Sequence, residues 1–238
     1  MIDGKVIREN LEKVYERIEA AAKRAGRDAR SITLVAVTKT FGPEAVLAAY
    51  EAGQRHFGEN YVQEARAKIE AVNKPDIVWH MIGHLQTNKA KYAVKMFDLV
   101  ETVDSVKLAN ELNKRAGKVG KVQKVLIEVN LGGEESKSGC DEAGAFELAE
   151  YVGSLPNLEL LGLMTIPPFL PPEEVRPYFR RLRELAERIE AKGYPGVSMK
   201  HLSMGMSADF EVAIEEGATI VRVGTAIFGP RTPKCEIK

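Results

Sequence analysis

Cysteine is nearly absent from this chain: its 238 residues include two, Cys140 and Cys235. They show neither CxxC spacing nor clustering with histidine, so a disulfide framework and a metal site are both poorly supported, and a reducing, cytoplasmic setting is expected. An excess of charge is missing as well, with 34 Lys and Arg against 34 Asp and Glu. A chain that binds nucleic acid normally carries a basic surplus or basic runs, so a polyanion is not the expected partner. No apolar run approaches the roughly 18 to 20 residues needed to span a bilayer. Residues 1–30 are charged throughout and lack the apolar core of a signal peptide, so no membrane partner is expected. There is no GxGxxG before a helix, no P-loop and no GxSxG elbow, which argues against dinucleotide, nucleoside triphosphate and hydrolase readings.

What is present is an ordinary soluble composition, 45% hydrophobic and 29% charged, arranged as a repeating sentence. Ile7, Leu11, Val14 and Ile18 fall on one face of an opening helix that stops near Gly26. Apolar runs then alternate with helical patterns. The predicted strands are Ile32–Val37, His56–Gly58, Ile77–Ile82, Leu99–Val103, Val125–Val129, Leu158–Met164, Met199–Ser203 and Thr219–Val223. The helices between them start near Gly42-Pro43, Tyr61, Thr87, Ser105, Asp141, Glu173 and Ser207. No Gly-, Pro- or Ser-rich linker interrupts the series, so residues 1–238 read as one domain. Strand-helix alternation implies parallel βα units, and eight of them in this length predict a closed (β/α)8 TIM-like barrel with an extra N-terminal helix. An open doubly wound sheet is the alternative.

A barrel of this kind carries its chemistry at the C-terminal ends of its strands. Reading only those ends collects Lys39, Glu59-Asn60, Gly83-His84, Asn130, Thr165, Ser203-Met204-Gly205 and Arg222-Val223-Gly224-Thr225. Lys39 closes the near-continuous run Thr33–Thr38, which places an amine at the barrel's inner lip. A desolvated lysine there is a better nucleophile, as Schiff-base chemistry requires; a lysine that merely reaches solvent past the strand end is the competing reading. The loops after the seventh and eighth strands pair Gly205 and Gly224 with the hydroxyls of Ser203 and Thr225. With a helix starting at Ser207, these are the features of a phosphate site; simple capping by Ser207 and Asp209 is the alternative. Arg222 points either outward to an acidic helix or into the barrel mouth. His80 and His84 are four apart, but a strand does not hold that spacing on one face, so a metal is discounted and His80 reads as a core histidine. Lys137, on the polar loop Gly132–Gly139, is a candidate second amine.

The segments Val35–Lys39, Phe57–Glu64, Trp79–Lys89, Gly162–Ile166, Leu202–Asp209 and Val221–Gly229 together resemble the pyridoxal phosphate homeostasis proteins, the YggS-type family. The match spans nearly the whole chain. It implies a barrel of the alanine racemase N-terminal type that carries pyridoxal 5′-phosphate (PLP), with Lys39 as the Schiff-base lysine. It further implies phosphate loops at Ser203, Met204, Gly205 and Met206 and at Gly224 and Thr225, with Arg222 facing the pyridine nitrogen and Asn60 near the ring. His84, Thr165 and Lys137 are further candidates. An arginine cannot give up its proton, so a ring facing Arg222 is a weak electron sink.

The resemblance implies a monomeric binding protein that maintains intracellular PLP without a turnover reaction, with apo PLP-dependent enzymes as recipients. An amino-acid racemase is the competing expectation. Racemases of this fold need a second base, usually from a further β domain, and only about nine residues, Pro230 to Lys238, follow the last motif.

Overall fold

The computed structural model describes residues 3–134 and 137–230; Cys235 lies outside them. Strands β1 (Thr33–Val37), β2 (His56–Glu59), β3 (Val78–Met81), β4 (Leu99–Val103), β5 (Gln123–Glu128), β6 (Leu158–Met164), β7 (Val197–Ser203) and β8 (Ile220–Val223) pair in sequence order. β8 returns to β1 in parallel register, Thr33 opposite Ile220 and Ala36 opposite Val223, which closes the barrel and excludes the open sheet. Helices α1 (Gly4–Arg24), α2 (Pro43–Glu51), α3 (Val62–Val72), α4 (Ala90–Met96), α5 (Val106–Lys118), α6 (Glu142–Gly153), α7 (Pro172–Glu190), α8 (Phe210–Glu215) and α9 (Thr225–Phe228) accompany the strands.

Strand residues alternate between two cores. Leu34, Ala36, Phe57, Val100, Val125 and Leu163 face outward into the shell shared with the helices. Val35, Leu99, Leu126, Leu161, Met164 and Ile220 form a smaller cluster inside the barrel. Two residues further along their strands, on the same inward face, stand Glu101 after Leu99, Glu128 after Leu126 and Arg222 after Ile220, all buried. On β4, β5 and β8 the interior therefore passes from an apolar layer to buried charges toward its C-terminal mouth, which is where a ligand would be received.

Helix α1 buries the face predicted for it, Ile7, Leu11, Val14 and Ile18. It also braces the last two helices: Arg17 pairs with Glu211 at 2.8 Å, and Asn10 Nδ2 donates to the Ile227 carbonyl at 2.9 Å. Two expectations need correction. The helix placed at Ser207 begins at Phe210, because Gly205 turns the chain at φ +93° and Asp209 Oδ1 accepts the Met206 N–H at 2.6 Å, a local turn that competes with helix. Residues after β8 form the one-turn helix α9 where a loop was expected.

Gly162 shows how tightly the strands pack. It sits at an irregular register between β6 and β7 with φ +152°, and a Cβ there would stand 1.8 Å from the His201 carbonyl oxygen. Gly162→Ala is expected to destabilise the fold by about 3 kcal/mol. Chemical denaturation of the purified variant checks this, and an unchanged midpoint would contradict the register described.

Candidate functional site

At the C-terminal mouth a cavity of about 420 Å³ is lined by Lys39, Asn60, Met206, Ser207, Arg222, Gly224 and Thr225 among others, with Val37, Ile82, Ile166 and Leu170 as apolar wall. Phe169 stands at its rim, 93% exposed, between the prolines of the β6–α7 loop.

Lys39 follows β1 on the inward face, in phase with Val35 and Val37. The backbone around it is fixed from three directions. Thr38 donates its hydroxyl to Glu59 Oε1 at 2.5 Å, and the Thr38 carbonyl accepts Lys68 Nζ at 2.6 Å. Lys68 also pairs with Glu59 at 2.6 Å, a salt bridge sealed between barrel and α3. Burial raises the Glu59 carboxyl from its ordinary value against the pull of Lys68. On the other side Thr40 adopts φ +73° and donates its N–H to Glu64 Oε2 at 3.2 Å. A non-glycine residue in that region costs about 1–2 kcal/mol, which the Glu59–Lys68 brace and the Glu64 contact help to offset.

Across the cavity two turns meet. Gly205 has no room for a side chain, since a Cβ would lie 2.6 Å from Ala213 Cβ and 2.8 Å from Phe210 Cα. A Cβ on Gly224 would come within 3.3 Å of the Val37 carbonyl oxygen. Ser207 Oγ accepts the Ala226 N–H at 3.3 Å and joins the two turns. Backbone at glycines, two hydroxyls and a helix start make a set of donors suited to a phosphate monoester.

Arg222 points inward, resolving the choice its sequence position left open. Its Nη1 donates to Ser203 Oγ at 2.6 Å and its Nη2 to the Thr165 carbonyl at 2.9 Å. Asn60 contributes a buried Oδ1 without a hydrogen-bond partner. An amine, an orphaned acceptor, a fixed cation and a glycine cradle around one cavity fit a planar, phosphate-bearing aldehyde.

The other predicted residues are placed differently. Ser203 reaches the site only through Arg222, and its hydroxyl faces the interior and not the turn. Thr165 is buried and gives its hydroxyl to the Val129 carbonyl at 2.7 Å. Met204 packs in the outer hydrophobic shell. Met206 lines the cavity. His84 stands in the neighbouring cleft that Asn60 also borders, against Asp104 at 3.5 Å and Ser138 Oγ at 3.1 Å. Lys137 ties its loop to the β6–α7 loop, bonding Glu134 at 2.6 Å and the Pro167 carbonyl at 3.1 Å. His80 is a buried histidine bonded to Glu101. Sequence reasoning missed Glu101 and Glu128, the carboxylates that face Arg222. The one available signal was a charged residue inside each of the apolar runs Leu99–Val103 and Val125–Val129.

The fold and this site define a barrel of the alanine racemase N-terminal class, and that domain family matches residues 9–232. A protein of Aquifex aeolicus named pyridoxal phosphate homeostasis protein is 52% identical over 224 residues, covering 94% of this chain and 97% of its own. The PipY protein of Synechococcus elongatus PCC7942, solved with PLP bound, superposes with TM-score 0.82 at 39% identity, covering 94% of this chain and 100% of its own. A crystal structure of a protein from Bifidobacterium adolescentis reaches TM-score 0.91 at 43% identity, covering 96% and 98%. The chain belongs to the pyridoxal phosphate homeostasis protein family.

Glu128 generates a test of the interior's electrostatics. It is buried with Oε2 unpartnered. Burial first, then the nearby Asp104, push its carboxyl from 4.5 up to about 7, against the pull of Arg222. Between those values the folded state keeps a proton that the unfolded chain releases, so stability falls as pH rises through that window and levels off above it. Glu128→Gln should flatten this slope and gain on the order of 2 kcal/mol over wild type above the window. Urea denaturation at a series of pH values measures it; parallel pH profiles for the two proteins would contradict the assignment.

Proposed function

We propose that this protein binds PLP in the cavity at the barrel mouth and serves its homeostasis, holding the cofactor on Lys39 and releasing it to apo PLP-dependent enzymes. The observation that carries this reading is the convergence of Lys39, Asn60, Arg222 and the two glycine turns on one cavity. The bound PLP of PipY supports it, since that relative covers nearly the whole chain.

What PLP supplies when bound is an aldehyde open to amine capture and a ring able to withdraw electrons. The protein's own residues do the rest. Lys39 presents the amine from a braced backbone. The turns at Gly205 and at Gly224-Thr225 hold the phosphate with N–H groups and hydroxyls. Arg222 faces the ring nitrogen as a donor with no proton to give, which keeps the ring's electron withdrawal weak and disfavours carbanion chemistry. Val37, Ile82, Ile166 and Leu170 give one side of the cavity an apolar wall. Among the described residues lining it, Lys39 is the only lysine, and no histidine or tyrosine joins it as a second base. The whole chain acts as a single binding domain and as a monomer in the cytoplasm. No helix among the described residues is long and apolar enough to cross a membrane.

Two measurements test this. Purified protein mixed with PLP should develop a visible absorption band and a borohydride-trapped adduct, and Lys39→Ala should lose both; an adduct retained by that variant would overturn the Lys39 assignment. In a racemase assay over many amino acids, the PLP-saturated protein should show no substantial turnover. Turnover on any of them would favour the racemase reading instead.

A further inference from the structure

Arg222 is the last member of a chain of buried polar side chains that runs the length of the barrel interior. At the N-terminal end, partly exposed His56 meets His80 with Nδ1 and Nε2 3.0 Å apart. His80 Nδ1 lies 2.7 Å from Glu101 Oε1. The other carboxylate oxygen, Oε2, accepts the Ser203 hydroxyl at 2.5 Å. Ser203 Oγ in turn accepts Arg222 Nη1 at 2.6 Å. His80, Glu101, Ser203 and Arg222 are all buried.

The directions of these bonds follow from the charge on Glu101. An ionised carboxylate only accepts, so Ser203 spends its one proton on Glu101 and turns a lone pair toward the guanidinium. His80 likewise donates from Nδ1. Burial is the largest influence on Glu101 and pushes its carboxyl up, but His80, Arg222 and Ser203 together outweigh it and leave it lowered. The other charged or titratable groups around Arg222 do not replace Glu101. Burial pushes Glu128 on β5 up to about 7, and Asp209 in the turn before α8 spends Oδ1 on the Met206 N–H at 2.6 Å. His201 on β7 is held low by burial. The guanidinium that lines the cavity is thus bridged through Ser203 to a carboxylate that does not itself line it.

We infer that Glu101 is a positioning residue for ligand recognition: acting through Ser203, it fixes the orientation of Arg222 and balances the positive field that Arg222 projects into the cavity. This inference rests on the reading that Lys39 and Arg222 face a bound PLP. Removing the charge of Glu101 leaves the guanidinium less compensated, and a more positive site makes protonation of the Lys39-linked nitrogen harder.

The test is a pH titration of the visible band of the PLP-loaded protein. Glu101→Gln is expected to move its midpoint down by about one unit, and Glu101→Asp to restore most of it. Ser203→Ala removes the bridge and leaves the carboxylate in place; it should shift the midpoint in the same direction, and the double variant Glu101→Gln with Ser203→Ala should shift it no further than Glu101→Gln alone. If Glu101→Gln does not fold, Ser203→Ala and Glu101→Asp carry the test. A merely structural Glu101 would lower the melting temperature and leave the midpoint in place. Unchanged midpoints in the folded variants, or fully additive shifts, would overturn the inference while the PLP reading stands. A wild-type protein that develops no visible band would overturn both.

Discussion

A guanidinium taken out of water costs several kcal/mol unless hydrogen bonds and an opposite charge replace what is lost, and Arg222 imposes that requirement on the centre of this barrel. The strands meet it jointly. The residue after β6 offers the Thr165 carbonyl, while β7 supplies Ser203 and β4 supplies Glu101 from their inward faces. The apolar layer of Leu99, Leu126 and Ile220 lies below Glu101, Glu128 and Arg222 on the same strands. The same arrangement that satisfies the arginine gives the cavity its floor. In the proposed function that floor is what distinguishes storage of a reactive cofactor from its use, because a donor without an available proton leaves the ring unactivated.

The lysine on the opposite wall is held by a separate device. Glu59, Lys68 and Thr38 form a buried cluster between the barrel and α3, and it fixes the peptide just before Lys39 while Thr40 turns sharply after it. The turns at Gly205 and Gly224 are held from a third direction, by α1 through Arg17 and Asn10. The N-terminal helix therefore reaches the site indirectly, by fixing α8 and α9. In the proposed function these three supports keep the amine and the phosphate cradle at constant spacing.

Much of this was legible in the chain. The alternation of apolar runs with helical patterns predicted eight parallel strands and their order, since each strand is buried on both faces and each helix on one. Lys39, Asn60, Arg222, Gly224 and Thr225 were found by reading strand ends alone, and all of them line the cavity. What escaped depends on side-chain direction and on distant partners. A strand buried on both faces has no polar side to fix its phase, so Glu101 could not be assigned to the interior. Its partner Ser203 lies 102 positions away. α8 starts at Phe210 and not at Ser207, because the carboxylate of Asp209, which the sequence offers as a helix cap, closes a turn with Met206 instead. Met204 drew attention through its motif, yet pleating sends its side chain to the outer shell while its neighbours Ser203 and Gly205 take part in the interior and the turn.

The central claim is that Arg222 meets the ring of bound PLP with a donor that keeps its proton. The most direct measurement is the nitrogen-15 chemical shift of PLP labelled at the ring nitrogen and bound to the wild-type protein. The account predicts the shift of an unprotonated, hydrogen-bonded pyridine nitrogen across neutral pH; the shift of a pyridinium would contradict it.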